Sequence, residues 1–181
     1  LRIIAGALKG RTWSLPKGLE IRPTTDRAKE SLFNVLQAHI DWSNALCLDA
    51  FSGTGSIGFE MLSRGAKEVC FLDKNPKSIQ HIQRQLDAWK LTNAKALHGD
   101  VFEFAFRQKT PFDLIFLDPP FALDEALNLP EQFISNGLLN KDGVLVLEHG
   151  PNWVDRTPAI LGWEKTKKYG HVHFSYFRNE N

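Results

Sequence analysis

The segment Leu46-Cys47-Leu48-Asp49-Ala50-Phe51-Ser52-Gly53-Thr54-Gly55-Ser56-Ile57-Gly58 sets the frame of this chain. A short apolar run ends in Asp49, passes through small residues, and resumes as Ile57, Gly58, Phe59, Met61 and Leu62 at helical spacing. This reads as a strand, a glycine loop and a helix. Gly53, Gly55 and Gly58 fit G-x-G-x-x-G, a loop in which the missing Cβ lets backbone approach a nucleotide closely. The pattern alone is shared by NAD, FAD and S-adenosylmethionine proteins, and glycines after a strand also form plain turns.

A second stretch, Phe112-Asp113-Leu114-Ile115-Phe116-Leu117-Asp118-Pro119-Pro120-Phe121, narrows the choice. A strand of continuous Leu, Ile and Phe is what a parallel sheet covered on both faces requires. Ligands of such sheets lie at the carboxyl ends of the strands, where the acid, the rigid Pro-Pro and the aromatic fall.

With 181 residues, 43% of them hydrophobic, the chain suits one soluble domain with a sizeable core. No apolar run approaches the ~20 residues needed to cross a bilayer. The opening residues carry no signal-peptide pattern, and the start at Leu1 leaves room for a removed initiator or short leader. Cys47 and Cys70 sit inside apolar runs and read as buried reduced thiols, so a cytoplasmic protein is expected.

The net charge of +1 hides a division. Residues 1–30 carry seven Lys/Arg against three Asp/Glu, residues 31–150 ten against fifteen, and residues 151–181 five against three. An acidic middle suits a cationic ligand such as a sulfonium, and basic ends suit a phosphate backbone. Charge alone fits ordinary solvated surface equally well.

In chain order, Arg2 to Gly6 and Arg11 to Leu15 read as a small hairpin turning at Lys9-Gly10, with Trp13 among its cations. Cations and a ring together suit nucleic acid, while an edge hairpin packing Trp13 onto the domain is the structural alternative. A helix capped by Thr24 or Thr25 follows, ending near His39, with Arg22, Arg27 and Lys29 on its polar flank. From Ala45 strands and helices alternate. The strands close on Asp49, Asp73, Asp100, Asp118 and Glu148 in succession. One such acid is readily a helix N-cap, but the series lines the ligand edge of a parallel sheet. Trp163 to Tyr169 and Val172 to Arg178 form a final antiparallel pair. The expected architecture is α/β and Rossmann-like, a mostly parallel seven-stranded sheet with helices on both faces and an antiparallel C-terminal strand. A basic N-terminal hairpin extension, 1–23, precedes a core of 24–181.

Asp73 lies twenty positions after Gly53, where an acid ending the second strand accepts from ribose hydroxyls. Asp100 is placed to accept from an adenine amino group. Asp49 suits a methionine ammonium or sulfonium better than a pyrophosphate. A ring-attached amine is a poor nucleophile because its lone pair is delocalised. The Asp118 carboxylate and Pro119 carbonyl can each take one of its N–H bonds and turn the lone pair toward an incoming methyl, with Pro119 and Pro120 holding the acceptors fixed. Phe121 is placed to stack on an extruded base. An in-line displacement of this kind needs no metal. His171 and His173 would share a strand face, but no third ligand accompanies them.

These residues resemble the Rossmann-type S-adenosylmethionine amino-methyltransferases. Arg2-Ile3-Ile4-Ala5-Gly6, Lys9-Gly10-Arg11 and above all Arg22-Pro23-Thr24-Thr25-Asp26-Arg27 resemble the RsmD-type bacterial methyltransferases, over nearly the whole chain. The resemblance implies transfer of a methyl group from S-adenosylmethionine, leaving S-adenosylhomocysteine, to the exocyclic N2 of a guanine in 16S ribosomal RNA. The RNA would be met in a small subunit or its assembly intermediate. The resemblance places cofactor contacts on Asp49, Phe51, Gly53, Gly55, Asp73 and Asp100, and the catalytic loop on Asp118, Pro119, Pro120 and Phe121. It turns Arg2, Lys9, Arg11, Arg22 and Arg27 toward RNA. Tyr169-Gly170 fits the family, whereas His171-Val172-His173-Phe174 departs from it. A DNA adenine- or cytosine-amino methyltransferase would use the same loop; the lack of an inserted DNA-target domain in these 181 residues argues moderately against it. A nicotinamide oxidoreductase shares the glycines and Asp73 but has no use for Asp118 to Phe121. A non-catalytic assembly factor has no need of either loop intact.

Overall fold

Leu114, Ile115, Phe116 and Leu117 are all within 1% of complete burial, which only a strand covered on both faces can achieve. The computed structural model describes residues 1–15, 24–120, 122–151 and 165–179. Its strands are β1 (Leu46–Ala50), β2 (Glu68–Asp73), β3 (Ala94–His98), β4 (Phe112–Leu117), β5 (Leu139–His149), β6 (Lys165–Tyr169) and β7 (Val172–Arg178). They form one sheet in the order β3-β2-β1-β4-β5-β7-β6, parallel through β5 and antiparallel for β7 and β6. The expected seven-stranded, mostly parallel sheet is therefore present.

The helices are α1 (Asp26–Leu36), α2 (Ser56–Ser63), α3 (Pro76–Trp89), α4 (Val101–Arg107) and α5 (Leu129–Ser135), with a 3-10 turn at Asp124–Asn128. Thr25 caps α1 by accepting from the Ala28 amide, and Asn75 ahead of Pro76 caps α3. Helices α1, α2 and α3 cover one face of the sheet, packing Leu32, Phe59 and Ile82 on Cys47, Phe71 and Phe116. Helices α4 and α5 cover the other, where Ala105 and Phe133 meet Leu48, Ile115 and Leu147. Each such Leu, Ile or Phe withdrawn from water contributes about 1.5–3 kcal/mol before the entropy of ordering is set against it.

Strand periodicity then fixes where the acids lie. Phe116 and Val146 belong to the α1 face and their neighbours Leu117 and Leu147 to the other. Continuing the alternation places Asp49, Asp73, Asp118 and Glu148 on the α1 face, all at the carboxyl edge. Pairing persists to that edge, since the Asp118 amide still donates to the Ala50 carbonyl at 3.4 Å. The strand order reverses between β1 and β4, which opens a crevice where the two candidate loops leave the sheet.

Several elements differ from expectation. The N-terminal hairpin is a tight antiparallel loop with a single bridge, Arg2 to Thr12, rather than two strands. It is seated on α2: Glu60, fully buried, accepts from the Ile4 and Ala5 amides at 2.8 and 3.0 Å, and the Ala7 amide donates to the Ser63 carbonyl at 2.7 Å. Gly6, at φ +83°, passes so close that a Cβ would lie 1.8 Å from the Ser63 carbonyl oxygen. Helix α1 stops at Leu36, ahead of the expected His39. Strand β5 begins at Leu139 rather than Val144, its polar start passing through Asp142 at φ +61°. Helices α4 and α5 lie in stretches whose sequence shows no clear helical stripe, and the expected strand start at Trp163 falls outside the described residues.

Candidate active site

The loop between β1 and α2 turns sharply enough to need three left-handed residues: Phe51 at φ +60°, Gly53 at +53° and Gly55 at +76°. A non-glycine residue in that region costs about 1–3 kcal/mol and persists only where the surroundings enforce it. Those surroundings are hydrogen bonds. The Gly53 amide donates to Asp73 Oδ2 at 2.7 Å, and the Gly58 amide to Asp49 Oδ2 at 2.9 Å. The Ser52 hydroxyl donates to the Leu72 carbonyl at 2.9 Å, and the Trp13 indole N–H to the Thr54 carbonyl at 3.3 Å. The glycines are also steric requirements, because a Cβ on Gly58 would sit 2.2 Å from the Phe71 ring. This loop is thus built from β1, β2 and the N-terminal segment together.

A cleft opens beside it. Thr24, Asp49, Phe51, Gly53, Ser56 and Asp118 are among the residues that line it. The structure therefore brings Asp49, Phe51, Gly53 and Asp118 to one place, and Asp73 joins them through its bond to Gly53. Gly55 stands one step back, as the left-handed N-cap of α2. Asp100 is set apart: its Oδ1 accepts from the Phe102 and Glu103 amides at 2.8 and 3.2 Å, so its visible task is capping α4. Pro119 is buried and Pro120 exposed, and the Pro120 carbonyl turns the chain by accepting from the Leu123 amide at 2.8 Å. Phe121 and Arg22 lie outside the described residues.

The electrostatics of the cleft are those of crowded carboxylates. Asp49 is 2% exposed, and burial pushes its carboxyl well above the usual carboxylate range. The Gly58 amide pulls the other way, and the Asp73 charge adds to the rise. Asp118 is likewise raised by burial, then by the Glu148 and Asp49 charges. Such a group of acids favours a cation and disfavours a phosphate.

The basic residues behave differently from one another. Arg2 is exposed and pairs with Asp26 at 2.6 Å, which ties the N-terminal loop to the start of α1. Arg11, also exposed, lies over the Trp89 ring at 5.5 Å, while Lys9 and Arg27 face solvent. Trp13 corrects the expectation of an aromatic offered to nucleic acid. It is buried, its ring 5.4 Å from Phe59 and 5.6 Å from Trp89, because the loop folds back onto α2 and α3. His171 and His173 also separate: His171 falls in the β6–β7 turn, and His173 is buried with its ring 5.6 Å from His149. Among the described residues no group of three His, Cys, Asp or Glu is placed to hold a metal. Cys47 and Cys70 are both buried and free, and burial pushes the Cys70 thiol up to about 12.

A link from the cleft wall to the strand behind it has no local signature in the sequence. The Thr24 hydroxyl, read as a helix cap, instead donates to Glu148 Oε2 at 3.0 Å, joining residues 124 positions apart. Only the strand-ending position of Glu148 hinted at it.

A reversal of strand order at β1/β4, an antiparallel β7 slotted between β5 and β6, and an acid-lined glycine loop at the reversal together define an S-adenosylmethionine methyltransferase fold. The chain belongs to the family whose model is described as "Conserved hypothetical protein 95", matched over residues 1–178, which is the RsmD family. It is 33% identical to "Ribosomal RNA small subunit methyltransferase D" of Escherichia coli (strain K12), covering 99% of this chain and 90% of that protein. With the protein of the same name from Haemophilus influenzae it shares 36% identity, over 99% and 94% of the two chains. The solved yhhF structure from Escherichia coli superposes with a TM-score of 0.85 at 34% identity, covering 100% and 99% of the chains. A T. thermophilus structure described as a 16S rRNA N2 G1207 methyltransferase (RsmC) in complex with AdoMet and guanosine matches at TM-score 0.67 and 26% identity, covering 90% of this chain and 45% of that one.

Proposed function

We propose that this chain transfers a methyl group from S-adenosylmethionine to the exocyclic N2 amine of a guanine in small-subunit ribosomal RNA. The observation that carries the reading is the placement of Asp118, followed by Pro119 and Pro120, across one cleft from the left-handed glycine loop and Asp49. The names of the family relatives support small-subunit ribosomal RNA as the substrate class, and guanine N2 is supported by the RsmC likeness.

The residues present fit the cofactor. The buried Asp49, its carboxyl raised by burial and by the Asp73 charge, suits a cationic methionine moiety. Asp73, already gripping the loop through Gly53, keeps lone pairs for ribose hydroxyls, and Gly53 and Phe51 would form the floor. Asp100 would reach the adenine amine with whatever acceptor capacity its capping bonds leave. When bound, S-adenosylmethionine supplies a methyl group on a positively charged sulfur. The chain's own part is to prepare the amine. The Asp118 carboxylate and the Pro119 carbonyl each accept one N2–H, which localises the nitrogen lone pair and aims it at the methyl carbon. As the nitrogen gains its new bond it becomes acidic, and Asp118 takes the proton it sheds. Phe121 would hold the base by stacking. No metal enters this scheme.

Two consequences can be measured. A carboxyl raised in the folded state lowers stability as pH climbs from the ordinary carboxylate range to the raised value, and the full cost remains above it. Asp49→Asn removes that charge while keeping an oxygen for the Gly58 amide. The variant should therefore melt at or above the wild-type temperature at neutral pH without ligand, yet bind S-adenosylmethionine at least ~10-fold more weakly. Calorimetry of both proteins checks this, and unaltered affinity would remove Asp49 from the cofactor site.

Arg2, Lys9, Arg11 and Arg27 supply the exposed charge for the RNA backbone in this reading. Arg11→Glu should weaken RNA binding and lower the slope of log affinity against log salt by about 1. An unchanged slope would leave Arg11 with only its place on Trp89. The function itself is tested by offering labelled S-adenosylmethionine with naked ribosomal RNA, unmethylated small subunits or duplex DNA. Label in the subunit or its RNA supports the reading, in which the enzyme meets ribosomal RNA in the cytoplasm. Label confined to DNA would reassign it to the DNA amino-methyltransferases.

A further inference from the structure

We propose that Glu148 is a positioning residue for methyl transfer, acting on the target amine through Thr24 and Asp118; the proposal rests on the functional reading above. Glu148 does not line the cleft. It stands behind it, 4% exposed, near the end of β5, one step past the in-register pair Leu117 and Leu147. Alternation along β4 and β5 turns Asp118 and Glu148 to the same face, so they stand side by side on adjacent strands.

Two actions follow from that position. The first works through Thr24, which lines the cleft beside Asp118 and Asp49. Its hydroxyl hydrogen is committed to Glu148 Oε2 at 3.0 Å. A hydroxyl has one hydrogen and two lone pairs, so with the hydrogen held behind, only lone pairs face the cleft. Thr24 is thereby fixed as an acceptor, suited to a base edge that presents donors. On guanine, N1–H and N2–H2 are such an edge. The second action is electrostatic. A second carboxylate beside Asp118 makes its charge harder to form, and Asp118 is indeed raised by burial and by the charges of Glu148 and Asp49. An acceptor held in this way responds strongly to a donor amine that becomes positive as the methyl arrives.

Among the described residues, further charged groups stand around Asp118 and Glu148. Asp49 faces Asp118 from β1, and Asp73 acts at one remove through Asp49. On the helix side, α1 carries Lys29, whose ammonium is held by the Ser56 hydroxyl at 3.1 Å and the Arg2 carbonyl at 2.7 Å. His149 lies on the far face of β5, bonded to Ser175 at 2.8 Å.

The two actions separate by substitution. Glu148→Gln removes the charge but keeps an oxygen for the Thr24 hydroxyl. The acid limb of its pH–rate profile should move to lower pH by roughly one unit, because Asp118 ionises more easily, while the plateau stays within about threefold of wild type. Thr24→Val removes the hydroxyl and leaves the charges. Its plateau turnover should fall about 10-fold with the limb unmoved and the KM for S-adenosylmethionine unaltered, and Thr24→Ser should restore it. A limb that stays in place in Glu148→Gln, or wild-type turnover in Thr24→Val, would overturn the proposal. The assay is methylation of unmethylated small subunits, with melting temperatures recorded for each variant. Carboxyl-carbon NMR of Asp118 in wild type and Glu148→Gln gives a reading independent of turnover: a lowered midpoint in the variant supports the coupling, and an identical midpoint overturns it. A wild-type protein that methylates no guanine would overturn the functional reading, and with it the catalytic task of Glu148, whatever the NMR midpoints.

Discussion

Asp118→Ala should lower the turnover of methyl transfer by about 10²–10³, the loss seen when one preorganised acceptor or donor is removed from a transition state. Affinity for S-adenosylmethionine should change little, because Asp73 is held by the Gly53 amide and Asp49 by the Gly58 amide, bonds that do not pass through Asp118. Stability should not fall either. The Asp118 carboxyl is raised by burial and by two neighbouring carboxylates, so its removal relieves repulsion. Loss of activity with an equal or higher melting temperature distinguishes a catalytic carboxylate from a structural one. Near-normal turnover in the variant would take Asp118 out of the chemistry, and a large fall in melting temperature would make it a scaffold residue.

The second large effect concerns stability. Glu60, fully buried on α2, gathers the Ile4 and Ala5 amides, Arg64 at 3.1 Å, and the buried ammonium of Lys29 at 3.8 Å. Glu60→Ala strands all of these. Breaking a buried pair by removing one partner costs about 3–5 kcal/mol, a large part of the ~5–15 kcal/mol that a domain has. Burial already lowers the Lys29 ammonium below its ordinary value, and Glu60 is the first of the charges that resist the shift. Without Glu60 the ammonium must drop further. The unfolded chain then binds more protons than the folded one, so stability rises with pH until the ordinary lysine value is passed. The variant should thus be strongly destabilised at neutral pH and recover part of the loss toward pH 10. Denaturant titrations across that range check it. A loss below about 1 kcal/mol would mean that the N-terminal loop is held by Trp13 and by its bonds to Ser63 and Asp26 rather than by Glu60. The effect bears on function, since that loop carries Arg2, Lys9 and Arg11 and braces Thr54 of the cofactor loop through Trp13.

How legible each part was in the sequence follows from the range of the interactions that fix it. Strands β1, β2 and β4 are legible because a buried strand needs a run of apolar residues bounded by turn formers, and both conditions are local. Helix α4 hides because Phe102, Phe104 and Phe106 alternate at period two. Its cap, Asp100, and the burial of Val101 and Ala105 set the helix, while Phe106 is left 63% exposed. The start of β5 hides because Asn140, Lys141 and Asp142 are polar, and partnership with β4 and β7 decides instead. Trp13 looked like a stacking platform because its neighbours in sequence are cations. Its neighbours in space are Phe59 and Trp89, which no local pattern announces.

The site divides in the same way. Asp49, Gly53, Asp73 and Asp118 were legible from loop spacing and strand ends, and the fold brings them to one edge. Asp100 shows the ambiguity of a strand-ending acid, since the same carboxylate that is placed to meet an adenine amine is visibly a helix cap. The Thr24–Glu148 bond spans most of the chain, and only the assembled sheet makes it visible.

The central claim, that Asp118 and its prolines present a guanine amine to a methyl donor, is tested most directly by identifying the methylated nucleoside. Unmethylated small subunits are labelled with the wild-type protein and S-adenosylmethionine, and the RNA is digested and separated. Label in N2-methylguanosine, formed about 10²–10³ times more slowly by Asp118→Ala, is the predicted result. Label on a ring carbon, on a ribose hydroxyl or on an adenine amine would contradict the account.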